Sequence, residues 1–153
     1  MKATAIHDVL VALVAAFDAA VDYPVFDGPP SKQPDRGTTK WLIIGADEPE
    51  PGDQNEATQQ GSMSAQLIGL GSKWRDEELE INCVAVGKST SIAAARAIAV
   101  GLVEDASQNM PHWPSANSYG AHVSDINEVR VRNVSGGAIA HIHFIISAKS
   151  RLT

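Results

Sequence analysis

His141 and His143 are the side chains best placed, by type and spacing, to do chemistry. At i and i+2 on a strand they share one face, a separation that suits two ligands of a single metal ion. A catalytic metal needs a third protein ligand and an open position. His7, His112 and His122 fall on unrelated segments, and no H-E-x-x-H pattern occurs. The pair therefore reads first as imidazoles on the solvent or interface side of a hairpin, with a small metal-dependent hydrolase as the distant alternative. Asp47, Glu48, Glu50, Asp53 and Glu56 lack the spacing and terminal glutamate of a calcium loop and read as solvated charge. In Arg75-Asp76-Glu77-Glu78 an extended backbone points Asp76 and Glu78 together and Glu77 away. Nothing apolar flanks them to raise a carboxyl pKa. They read as a salt-bridging strand edge that engages another subunit and discourages uncontrolled pairing. Gly69-Leu70-Gly71 is too short for a dinucleotide fingerprint, and Cys83, the one cysteine, reads as a small buried hydrophobe. No catalytic residue, cofactor site or metal ligand is expected, and the chain is expected not to be an enzyme.

The elements that would hold these residues follow from periodicity. Ile6, Val9, Leu10, Leu13, Val14, Phe17 and Val21 recur at helical spacing, so residues 3–21 are expected to form a helix on a core. Its apolar run, Val9 to Phe17, is too short to cross a bilayer, and Asp8 and Asp18 bound it. A short strand and a Gly28-Pro29-Pro30 bend come next, then Trp41 to Ala46, apolar without alternation and so buried on both faces. About residues 47–62 form an acidic loop expected to be mobile, and Ser64 to Leu70 regains strand character. Leu79, Ile81, Cys83 and Ala85 alternate with Glu78, Glu80 and Asn82, the mark of a half-solvated strand. Ser89, Thr90 or Ser91 can cap a second helix whose stripe is Ile92, Ala95, Ala99, Leu102, Val103 and Ala106. Pro111 and Pro114 frame a loop with His112 and Trp113, a candidate contact residue. Strands over about 120–132 and 138–149 close a hairpin at Ser135-Gly136-Gly137.

The order α-β-β-β-β-α-β-β has no regular βαβ alternation. It predicts an α+β fold: one domain over residues 1–153, with a mostly antiparallel sheet and two main helices on one face. A length of 153 residues and 44% hydrophobic content suit one core. A net charge of −6 opposes nucleic-acid binding, which needs a basic footprint.

Val25-Phe26-Asp27-Gly28-Pro29-Pro30 after a helix, then Trp41-Leu42-Ile43-Ile44-Gly45, then Gly69-Leu70-Gly71 with Arg75-Asp76-Glu77-Glu78, resembles the tail terminator proteins of long-tailed phages infecting actinobacteria. The resemblance runs over nearly the whole chain; the Pro111–Pro114 loop and His141/His143 lie outside it. It implies a lambda-type terminator fold and structural work. Six copies would form a ring on the head-proximal end of the tail tube, end tube polymerisation, and present a surface to head-completion or connector proteins. The expected partners are thus other copies of the chain, the tail tube protein and the connector, with no membrane. The expected location is the virion neck, after assembly in the host cytoplasm. Genomic DNA would pass through the lumen without specific binding. Another neck component or a tube-like protein is the nearest alternative. A closed ring needs two different patches per subunit. The candidates are the turn from Asp27 to Arg36, the edge from Arg75 to Glu78 (Arg75, Asp76 and Glu77 foremost), the acidic loop, and Trp113.

Overall fold

The computed structural model describes residues 4–30, 37–46, 63–68 and 75–152, the side chains of 63–68 and of Arg75 excepted. Arg36, the acidic loop and Gly69-Leu70-Gly71 lie outside the described residues. Helix α1 (Ile6–Ala20) buries Val9, Leu10, Leu13 and Phe17, the spine of the periodic stripe. Helix α2 (Ile92–Gln108) buries Ala95, Ala99, Leu102, Val103 and Ala106; Ile92, in the first turn, lies exposed instead. Of the three possible caps Ser91 is used: its Oγ accepts from the Ala94 N–H at 3.2 Å.

Among the described residues six strands make one sheet: β1 (Val25–Asp27), β2 (Lys40–Ile44), β3 (Met63–Ile68), β4 (Arg75–Ser89), β5 (Ser118–Val134) and β6 (Gly137–Leu152). The order is β1-β2-β4-β6-β5, and of the described pairings only β1 with β2 is parallel. The chain is thus an α+β domain with a mostly antiparallel sheet, as its element order predicts. β2 and β3 lie end to end along one side of β4, opposite Cys83–Gly87 and Asp76–Ile81 respectively. β6 lines the whole of the other side. From Asp76 onward β4 is therefore an interior strand, which corrects the expectation that Arg75 to Glu78 form a sheet edge.

Alternation assigns the two faces. Leu42 and Ile44, Leu79 to Ala85, and Ala138 to Ala148 in steps of two join both helices in the main core. Phe17, Leu13, Phe144 and Ile142 are fully buried there, each contributing roughly 1.5–3 kcal/mol of hydrophobic stabilisation. α2 sits close: a Cβ on Gly87 would meet the Ala95 carbonyl oxygen at 2.7 Å and the Ala99 nitrogen at 2.9 Å. Among the described residues the other face carries no helix, yet Trp41, Ile43, Val84, Val86 and Ile139 form a second buried cluster there. β4 is consequently half-solvated only along its first half. The hairpin turn is Ser135-Gly136, with Gly136 at φ +85°, a conformation a side chain disfavours.

β5 departs from regular pairing at three points, between Tyr119 and His122, Val123 and Asp125, and Ile126 and Glu128. Each shift inserts one residue into β5 and none into β6. The insertions keep Val123, Ile126, Val129 and Val131 opposite the helix-facing Ile146, Phe144, Ile142 and Ala140. Asp125, Glu128, Arg130 and Arg132 face the other way.

Candidate functional site

The residues expected to meet partners do not form one patch. Asp76 and Arg151 pair across β4 and β6 through a two-pronged contact, Nε to Oδ1 at 2.8 Å and Nη2 to Oδ2 at 3.3 Å. The Arg151 guanidinium, first through this hydrogen bond, holds the Asp76 carboxyl below its ordinary range. Salt bridging at Asp76 is as the sequence suggests, on an exposed pair worth little to stability.

Glu77 is the correction. It is buried, and no partner can reach it. Its Oε1 accepts the Ala5 N–H at 2.8 Å and the Ser150 hydroxyl at 3.0 Å. Ala5 is the N-cap residue of α1 and offers no side-chain cap, so a carboxylate 72 residues away does that work. The apolar surroundings are supplied by α1 and the sheet, which the four-residue charge run does not reveal.

Trp113 is 70% exposed and leans on Tyr119, ring centroids 5.8 Å apart. Backbone bonds strap its loop to the sheet: the Gly120 N–H donates to the His112 carbonyl and the Arg151 N–H to that of Asn117. Trp113 and the Asp76–Arg151 pair thus share one end of the sheet. Asp27 does not join them. It is exposed on β1, in the row of Ile44 and Cys83, seven β4 positions from Asp76 or roughly 23 Å at strand spacing.

His141 and His143 do share the helix-free face, half-buried, opposite Val86 and Val84 on β4 and Arg130 and Glu128 on β5. Burial, then the nearby cations Arg132, Arg130 and Lys88, push His141 down to about 4. Such surroundings repel a metal ion as they repel a proton. Among the described residues no group of three His, Cys, Asp or Glu side chains could hold one.

Two features escaped the sequence reading. An open cavity of about 330 Å³ lies where both helices end, lined by Asp22, Tyr23, Lys40, Asp105 and Asn109. The Tyr23 hydroxyl donates to Asp105 Oδ2 at 2.8 Å while Lys40 Nζ stands 5.2 Å from the ring centroid. Burial, and then Asp105, hold this phenol protonated well above its ordinary range. The second is β5. Among the described strands it pairs only with β6, leaving 17 residues of edge, and Ile126, Val129 and Val134 are exposed along it at 53%, 48% and 38%. Its signal was present in the sequence as apolar residues that fail to alternate, which the inserted residues explain. No described helix is long and apolar enough to cross a membrane. No protein-family model matches the chain, and no curated protein matches it.

Proposed function

We propose that the protein is a structural subunit of a phage tail, a terminator that closes into a six-membered ring on the head-proximal end of the tail tube. The observation that carries this reading is the layer pattern: an N-terminal helix, an edge strand, an interior antiparallel sheet, a second helix and a C-terminal hairpin, both helices on one face. It is compatible with the coarse fold that the resemblance implies, a mostly antiparallel sheet flanked by helices. Charge supports it too. Six copies carry 6 × −6 = −36 formal charges, and an acidic ring repels phosphate instead of trapping a passing genome. Asp27 on short β1 and the distant end of the sheet that carries Trp113 and the Asp76–Arg151 pair are unlike patches, and two unlike patches are what a closing ring requires.

The test is to mix the protein with polymerising tail tube protein and examine the products by electron microscopy and mass measurement. Six-fold rings on one end of tubes of limited length are expected. Tubes that grow to unlimited length with bare ends would overturn the reading. Rings that bind the connector and never the tube would assign the chain to another neck position.

A further inference from the structure

The outer edge of β5 carries an ordered sequence of charges. On the helix-free face, from the N-terminal end, Asp125 and Glu128 come first and Arg130 and Arg132 follow, all at least partly exposed. On the helix face the residues are Val123, Ile126, Val129 and Val131. Reversing such a strand and laying it beside itself puts acids against bases.

We propose that β5 is a self-recognition edge, and that two copies of this chain associate by antiparallel β5–β5 pairing about a two-fold axis at Val129. The side chains dictate the register. With Val129 on the axis, and the inserted residues Ser124 and Asn127 left out of the alternation, Glu128 meets Arg130 of the second copy and Asp125 meets its Arg132. On the other face Ile126 meets Val131 of the second copy, and the two Val129 side chains meet each other. Opposite charges and apolar residues directly across an antiparallel pair each stabilise the pairing. Moving the axis one residue pair along the strand sets Arg130 against Arg130, or Glu128 against Glu128, which is destabilising. Charges on an edge normally prevent indiscriminate pairing. Here their order admits one partner strand in one register.

The second copy is favoured over an unrelated peptide because the complementarity is internal to the strand. Glu128 and Arg130 already touch within one chain at 2.7 Å, so the axis would gather four alternating charges. Pairing would also cover Ile126 and Val129, the two most exposed aliphatic side chains of the edge. The contact is isologous, one patch used twice. It does not rest on the ring reading, whose interfaces join unlike patches, and either can be lost without the other.

The test uses the whole chain at micromolar to 100 µM concentration. Sedimentation equilibrium should give a species of 2 × 16.2 kDa. Under mild oxidation Val129→Cys should cross-link to itself, because residues facing each other across an antiparallel pair suit disulfide geometry. Ile126→Cys and Val131→Cys should each stay single alone and cross-link when mixed. Buried Cys83 offers no competing thiol. The charge reversals Arg130→Glu/Arg132→Glu and Asp125→Arg/Glu128→Arg should each abolish the pair, and their equimolar mixture should restore it. A single-chain wild type at 100 µM overturns the proposal. So does a pair that survives both reversals, or a Val129→Cys variant that pairs without cross-linking. A six-chain species indifferent to every one of these changes overturns the β5 contact and leaves the ring standing.

Discussion

His141 turns a local environment into a pH dependence. Its folded-state pKa of about 4 lies below the roughly 6.5 of an unfolded chain, so the folded state resists a proton that the unfolded state accepts. Stability is therefore unaffected above pH 6.5 and falls as pH drops from there towards 4. A difference of about 2.5 pKa values corresponds to about 3 kcal/mol lost across that window. Urea unfolding at pH 7 and pH 4.5 should show His141→Gln losing markedly less stability on acidification than the wild type. Equal losses would refute the assignment. The sequence placed both imidazoles on one face of a hairpin strand, and that is where they are. It did not reveal the cations around His141, because Arg130 and Arg132 come from β5 and Lys88 from β4. Two of them reach that face through a register shifted by inserted residues, which no fixed period encodes.

Between elements the decisive contact is Glu77. One oxygen joins the start of α1 to β4 and β6 at once. Glu77→Ala strands the Ala5 N–H and the Ser150 hydroxyl in the interior and leaves a void, a loss of about 2–4 kcal/mol. Glu77→Gln keeps one acceptor oxygen and should lose about half as much. Denaturant unfolding measures the loss, and amide exchange should show its focus in the first turn of α1. An alanine variant as stable as the wild type would remove Glu77 from this role. Helices and interior strands were readable because packing imposes their period: Val9, Leu10, Leu13 and Phe17 are buried in α1, and Leu79, Ile81, Cys83 and Ala85 in β4. Glu77 stands in the same alternation as Leu79 and Ile81, so its inward face was readable from the period. What was unreadable is what holds a carboxyl there, because the groups bonded to its Oε1 lie 72 and 73 residues away.

For the molecule as a whole, charge sets a condition on assembly. Gathering six chains of −6 each opposes ring closure through mutual repulsion, felt over the screening length of the solution. Raising salt from 0.01 to 0.1 M shortens that length from about 30 to about 10 Å. Light scattering should show the proposed ring forming more completely at the higher salt, and a ring that dissolves on adding salt would mean that attractive ion pairs dominate its interfaces. The position of β6 has a different kind of consequence. It is last of the six strands in chain order, yet it lies between β4 and β5 and pairs with both. While a ribosome is still making residues 137–152, fifteen residues of β4 have one side bare and β5 has no partner among the described strands. The nascent chain carries β4 with one side open from the time Ser89 is added until β6 is made, and the closing of the sheet waits on long-range pairing of the slow kind. A chain cut before Gly137 would be no smaller version of this fold. It would be an exposed template with nothing to complete it.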